Sequence, residues 1–384
     1  MKPHSLGNWL SSLAMATTVG LATSSAIAAE PIVFGLTMPV TGGAASFADP
    51  ERRGVEMAVD EINAAGGVLG RPIKLAIADN RCNPTEGVQS ANKLINEDGA
   101  VALIGAFCSS VSLAIMPVVQ RAEIPLVIDV STAPVISEHL GEGKNTWAFR
   151  TSVTDSGMAN ALIDFLAENM PWKRLALVGE DTDYGRGGIA SFTELAKGHG
   201  LEVIRSETFT QNTPDFTPLL NKLVASKPDV LGIYMLGADM ANFFKQYEAW
   251  GGRLPVTGRF DPALLSPAQR KRGFLNGSIG VLPYSPDVDT EANRRFVAEY
   301  RKRNNEDPQF QSAYGYEAVY LLADAITRAG EAKPAAIRQA LASTNYPSMM
   351  GVNIEFDEQH QAHNNAVILQ LKDGEIKILS LNPT

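Results

Sequence analysis

The chain has 384 residues and a formal net charge of −9, with 45% hydrophobic and 20% charged residues. This is the composition of an ordinary globular protein. Its acidic balance argues against sequence-independent binding to nucleic acid or to an anionic membrane surface.

The first residues read as an export signal. Lys2 is followed by an apolar and small-residue stretch from Trp9 to about Ala22, and Ala26-Ile27-Ala28 is an A-x-A cleavage site. Residues 1–28 are therefore expected to be removed, leaving a chain that begins near Ala29. The alternative is an uncleaved anchor, but Ser11, Ser12, Thr17, Thr18 and Gly20 dilute the stretch, which falls short of the roughly 20 apolar residues a span needs. Loss of Lys2 would take the charge from −9 to −10. About 355 residues remain, more than one hydrophobic core usually organises, so two domains are expected.

From Pro31 onward, short β-branched runs alternate with helical patterns, the grammar of parallel βαβ units. Ile32 to Thr37 reads as a strand, Arg52 to Ala65 as a helix stopped by Gly66-Gly67, Ile73 to Ala78 as a strand and Thr85 to Asn96 as a helix. Val101 to Gly105 is apolar without alternation, which predicts a strand buried on both faces. A helix over Ser109 to Gln120 and a strand over Pro125 to Val130 follow.

The same grammar restarts after Arg150. Helices are predicted at Asp155–Asn169, Gly187–Lys197, Thr217–Ala225 and Ala238–Trp250, and strands at Arg174–Gly179, Leu201–Thr208, Val230–Met235 and Pro255–Thr257. Near Gly277 to Pro283 the pattern changes. Helices at Glu291–Arg303 and Gln311–Ala329 are then followed by strands at Asn353–Asp357, Ala366–Leu371 and Glu375–Leu381, the last two joined by a Lys372-Asp373-Gly374 hairpin.

Cys82 and Cys108 are the two cysteines. In an exported chain an even count points to a disulfide, on the order of 3 kcal/mol if unstrained, and two free buried thiols are the alternative.

Enzyme signatures are missing. There is no G-x-S-x-G and no H-E-x-x-H, Gly141 to Asn145 has the wrong spacing for a phosphate loop, and Gly185-Arg186-Gly187-Gly188 fails the dinucleotide fingerprint. No metal or cofactor is expected; His360 and His363 read as parts of a solvated polar turn. What remains is a pair of loops at strand carboxyl ends, where doubly wound folds take their ligands. Phe107-Cys108-Ser109-Ser110 opens a helix and offers hydroxyls and N–H groups to an anion, although either serine could serve only as a helix cap. Val130-Ser131-Thr132-Ala133-Pro134 follows the next strand. If both loops face one cleft, they converge on one carboxylate.

A set of local matches runs along most of the chain. It comprises Thr41-Gly42, Gly54 with Ala58-Val59, the run Asp60 to Gly67 (Asp-Glu-Ile-Asn-Ala-Ala-Gly-Gly), Cys82-Asn83-Pro84 with Ala91-Asn92-Lys93, Cys108-Ser109-Ser110, Thr132-Ala133-Pro134, Asp183-Tyr184-Gly185, Asp215-Phe216 and Phe356-Asp357. With these residues the chain resembles the leucine/isoleucine/valine-binding proteins of bacterial ABC transporters. The resemblance implies an α/β type I periplasmic binding fold, in which two doubly wound Rossmann-like domains are joined by a three-segment hinge. The implied crossovers lie near Arg150, Val281 and Gly351, giving lobes of 29–150 plus 282–350 and 151–281 plus 351–384. It also implies a periplasmic location, no enzyme activity, and an inner-membrane ABC permease as partner.

The resemblance assigns roles as well. Ser109 and Thr132 match positions that hold an α-carboxylate, with Ser110 beside them a further binding candidate, Val130 offers a carbonyl to an ammonium, and Tyr184 covers the ligand from the second domain. Phe47 stands where the family has a Tyr, Phe107 where it has a Leu, and Leu236 where a Tyr is usual. The family's acidic partner for the amine aligns with Phe260, leaving Asp261 as an offset candidate. The carboxylate half of the site thus keeps the family's pattern and the amine half departs from it. The expected ligand is a branched-chain or related amino acid; the alternative is an aromatic or other carboxylate or amide lacking an α-amine.

Overall fold

The computed structural model describes Met1 and residues 29–384; the expected signal peptide lies outside the described residues. Five strands, β1 (Ile32–Met38), β2 (Ile73–Asp79), β3 (Ala102–Gly105), β4 (Leu126–Ile128) and β5 (Ala148–Arg150), form a parallel sheet in the order β2-β1-β3-β4-β5. Helices α1 (Ala45–Ala64), α2 (Pro84–Asn96), α3 (Ser109–Ala122) and the short α4 (Val135–Glu138) connect them. β3 is buried along its whole length in mid-sheet, as its unbroken apolar run requires.

The second parallel sheet has the order β7-β6-β8-β9, built from β6 (Arg174–Glu180), β7 (Glu202–Phe209), β8 (Val230–Tyr234) and β9 (Val256–Gly258). Its helices are α5 (Asp155–Asn169), α6 (Asp183–Ala196), α7 (Thr217–Ala225), α8 (Gly237–Ala249) and the one-turn α9 (Pro267–Lys271). The chain then runs through β10 (Ile279–Leu282), α10 (Glu291–Asn304), α11 (Phe310–Ala329), α12 (Pro334–Ala342), the two-residue strands β11 (Tyr346–Pro347) and β12 (Asn353–Ile354), and the final hairpin of β13 (Asn365–Lys372) and β14 (Glu375–Pro383). β10 pairs antiparallel with β13. Asp373 and Gly374 both carry positive φ, 54° and 83°, as a tight two-residue hairpin turn demands.

Two bodies of core follow from this order. The first gathers β1 to β5 with α10, α11 and α12, and still includes Ile354 and Ala362. The second gathers the four-stranded sheet with Ile279, Val281, Ala366 and Ile368, next to a phenylalanine-rich cluster on its other face. Past Gly351, where the sequence puts the third crossover, Ile354, Ala362 and Val367 pack with the first core, while Ala366 and Ile368 pack with the second. Helix α11 returns to lie against α1, and two glycines let the backbones meet: a Cβ on Gly54 would come within 2.1 Å of the Ser312 carbonyl oxygen, and one on Gly315 within 3.0 Å of the Glu51 oxygen.

Three differences from the sequence reading have local causes. Helix α1 begins at Ala45 despite Pro50, because Phe47 on its first turns packs against Phe107 and Phe310; tertiary contact outweighs the lost amide. Helix α12 was not predicted, although Pro334 stands at its first turn and Ile337, Ala340 and Leu341 are buried at helical spacing. His360 is not in a solvated turn: its ring stacks on Phe149 at 4.2 Å and its Nδ1 lies 3.1 Å from the Ala148 carbonyl.

One internal charge cluster has energetic weight. Glu51 on α1 and Asp129 just after β4 are fully buried and face each other, with no other side-chain partner among the described residues. Burial raises both carboxyls, Glu51 further through the facing Asp129 and Asp129 to about 7 against the hydrogen bond from Glu51, so the pair holds a proton in the folded state. Because these values are raised, the pair's contribution is fully present below the ordinary carboxylate range near 4 and is lost as pH rises through about 7. Glu51→Gln should therefore flatten the fall in stability between pH 5 and pH 8, a difference on the order of a few kcal/mol. Urea midpoints of both proteins at the two pH values measure it, and parallel pH profiles would contradict the assignment.

Candidate ligand-binding site

The carboxyl ends of both parallel sheets face one another across a cavity of about 310 Å³. This is the crevice in which doubly wound sheets take ligands. Phe47, Phe107, Ser109, Ser110, Val130 and Thr132 line it from the first lobe, and Tyr184, Leu236, Arg259 and Asp261 from the second.

The first-lobe wall is a clamped pair of loops. Cys82 and Cys108 are joined by a disulfide with their Cα atoms 5.5 Å apart, and both residues line the cavity. The Asn80 side chain donates to Thr37 Oγ1 (3.2 Å) and to the Ala106 carbonyl (3.1 Å) and accepts from the Cys82 amide (2.9 Å). Phe107 sits in the left-handed region at φ 69°, a strained conformation that the surrounding bonds hold in place. Neither serine caps α3. The cap residue is Cys108, without a side-chain cap bond, and the Ser109 hydroxyl instead accepts from the Ala133 amide at 3.3 Å. The positive end of the α3 dipole is thus left facing the cavity.

The second loop is stitched to the first. Ser131 Oγ donates to the Phe107 carbonyl at 3.0 Å and lies 2.7 Å from Ser112 Oγ. The two loops named in the sequence therefore share one cleft. Thr132 Oγ1 donates to Asp155 Oδ2 at 2.9 Å, and the Asp155 amide donates to the Thr132 carbonyl at 2.8 Å. Asp155 is the first residue of α5, so these bonds cross from one lobe to the other.

On the second side, Tyr184 stands in the first turn of α6, capped by Thr182, with its ring 6.3 Å from that of Tyr234. The Leu236 amide donates to the Glu180 carboxylate, which also accepts from Gln211 Nε2 at 2.8 Å; burial pushes Glu180 up to about 7. Asp261 lines the cavity but spends Oδ1 on the Ala263 amide at 2.9 Å, and burial raises its carboxyl. Phe260 is not a wall of the site. It is fully buried, with its ring 5.6 Å from Phe244 in the second-lobe core, because alternate residues of an extended segment face opposite ways.

Arg259 takes the cleft-facing position that the sequence reading passed over. It is 5% exposed, its Nη1 donates to Asp155 Oδ1 at 2.9 Å, and its guanidinium lies 5.9 Å from the Tyr184 ring centroid and 5.8 Å from that of Phe310. Phe310 and Asp155 were likewise missed. Applying the strand-end rule to β9 as it was applied to β3 and β4 would have found Arg259.

The lobes touch at the rim. A Cβ on Gly237 would fall 2.2 Å from the Phe47 ring, and one on Gly43 would fall 2.1 Å from Asn212 Oδ1. Small residues at these points let the facing lobes meet.

A family model described as periplasmic binding protein matches residues 31–375. The chain belongs to that family. Its fold is shared with solved leucine-binding and other solute-binding proteins. A leucine-, isoleucine-, valine-, threonine- and alanine-binding protein of Pseudomonas aeruginosa is 28% identical, over 92% of this chain and 93% of its own. An ABC transporter substrate-binding protein from Desulfitobacterium hafniense, in complex with Leu, superposes with a TM-score of 0.74 at 26% identity, covering 91% of this chain and 100% of that one. A solute binding protein of an ABC transporter from R. palustris, in complex with benzoate, gives a TM-score of 0.81 at 24% identity, with coverages of 91% and 96%.

In this periplasmic binding protein the disulfide ties the segment before α2 to the start of α3 at the edge of the cavity. Replacing both cysteines, Cys82→Ser with Cys108→Ser, should cost on the order of 3 kcal/mol and lower the melting temperature by several degrees. Differential scanning calorimetry checks this, and an unchanged midpoint would contradict it.

Proposed function

We propose that the protein captures a small organic acid with an apolar body between its two lobes, closes over it, and delivers it to an inner-membrane ABC permease from the periplasm. The lobes are taken as 29–150 plus 282–350 and 151–281 plus 351–384, with residues 1–28 removed on export. The observation that carries the reading is the asymmetry of the cavity. Ser109, Ser110 and Thr132 line it beside the α3 N-terminus, which favours an anion, while Phe47, Phe107, Tyr184, Leu236 and Phe310 supply apolar wall among polar residues that include Arg259, Asp261 and Gln211.

In this reading the Ser109 and Ser110 hydroxyls and the Thr132 backbone amide receive the ligand's carboxylate, the Thr132 hydroxyl being committed to Asp155, Val130 contributes its backbone carbonyl, and Phe47, Phe107, Tyr184 and Leu236 pack on the body. Each lobe supplies part of the shell, so the ligand has higher affinity for the closed form and draws the population toward it. Two ligand classes fit that end. A branched-chain or related amino acid is supported by Asp261, whose second oxygen is free to meet an ammonium. An aromatic or other carboxylate lacking an α-amine is supported by the rings and by the turning of Phe260 away from the cavity.

The test is thermal shift on protein unfolded and refolded to strip any bound ligand, against leucine, isoleucine, alanine, benzoate and 4-hydroxybenzoate. Ligand at about 100 times its dissociation constant adds about 2.7 kcal/mol, a clear rise in melting temperature. At least one of these acids should give that rise. No shift from any of them would sink the carboxylate reading.

A further inference from the structure

Arg259 has more hydrogen-bonding capacity than the protein uses. A guanidinium carries five N–H donors in a fixed planar fork. Only Nη1 is engaged, with Asp155; among the described residues Nε has no partner although it is fully buried, and Nη2 makes no hydrogen bond. The side chain lines the cavity between the faces of Tyr184 and Phe310.

Its position relative to the first-lobe loop is fixed by one carboxyl group. Asp155 receives Arg259 on Oδ1 and the Thr132 hydroxyl on Oδ2, both at 2.9 Å. Arg259 is therefore separated from Thr132 by the width of a single carboxylate. A ligand carboxylate held at Ser109 and Thr132 lies within reach of the same guanidinium.

Two cations and two acids surround that point, with Asp261 close enough to Arg259 to feel its charge. Asp155 is flanked by two buried guanidiniums, Arg259 and, behind the loop, Arg150, which donates to Gln361, Ala133 and Ser137. Of the acids at the cavity wall, Asp181 pairs with Arg186 at 2.6 Å and Asp261 caps its own turn.

We infer that Arg259 is the specificity-determining residue of the cleft: its unpaired Nη2 and the remaining Nη1 proton receive the ligand's carboxylate from the second lobe, so the ligand is a monocarboxylate with an uncharged body and an α-ammonium is rejected. This rests on the reading of the cleft as a carboxylate site and names the ligand class within it. Asp155 is a positioning residue, which holds the fork by Nη1 and leaves the other donors to the ligand.

The experiment is isothermal titration of wild type, Arg259→Gln and Arg259→Lys with benzoate, 4-hydroxybenzoate and leucine, after ligand stripping, with melting temperatures recorded for each protein. Wild type should bind at least one of the benzoates and not leucine. Arg259→Gln should lose about 100-fold in affinity for that acid, as expected when a charge-assisted bidentate contact is removed, and Arg259→Lys should recover part of it. Should Arg259→Gln fail to fold, the lysine variant carries the test: it keeps the charge without the planar fork, and its affinity should fall by at least tenfold. Retention of wild-type affinity in the variants, or tight leucine binding by wild type, overturns the assignment of Arg259 and leaves the carboxylate cleft standing. Silence of wild type toward every acid overturns both.

Discussion

Asp155 is wholly buried at the junction of the lobes, and its two oxygens are claimed by groups from opposite sides, the Thr132 hydroxyl and the Arg259 guanidinium. Taking a carboxylate and a guanidinium out of water costs several kcal/mol for each ion, and only good geometry with further hydrogen bonds offsets that cost. The offset is incomplete for Asp155, whose carboxyl is still raised by burial against the pull of its partners. A neighbouring buried cation, Arg150, is lowered to about 9 by the same desolvation. The region keeps Arg150, Arg259, Asp155 and Asp261 away from solvent, and the cavity that opens on Arg259 is where the ligand's carboxylate is placed.

The remainder of the architecture serves to hold that junction. The two parallel sheets present their carboxyl ends to one another, so loops after β3, β4, β6, β8 and β9 all reach the cavity. The disulfide, the Asn80 side chain and the bonds among Ser109, Ser112, Ser131 and Ala133 fix the first-lobe loops. Rings of Phe47, Phe107 and Phe310 pack edge to face, which gives the cavity a stiff apolar wall. Phe47 meets Gly237, so the same ring that touches the cavity also touches the opposite lobe.

Much of this was readable from the residues. The unbroken apolar run of β3, and the helices Asp155–Asn169 and Thr217–Ala225 with their intended limits, follow from periodicity. Ser109 and Thr132 were found because strand-end loops are where such folds take ligands. The second-lobe face was harder. Gly258 has a positive φ of 84°, and a left-handed residue resets which side the following side chains face, so parity cannot be counted through it. The resemblance directed attention to Phe260 and Asp261, whereas the chain turns Arg259 to the cleft and Phe260 to the core. The Asp155 link joins positions remote in the chain, and nothing local in either segment announces it.

The most direct test of the account is a crystal structure of the stripped protein soaked with benzoate. The account predicts the carboxylate between Ser109 and Thr132 on one side and the Arg259 fork on the other, with the ring among Phe47, Phe107 and Tyr184. A carboxylate turned away from Arg259, or leucine soaked in its place and bound with its ammonium against Asp261, would contradict it.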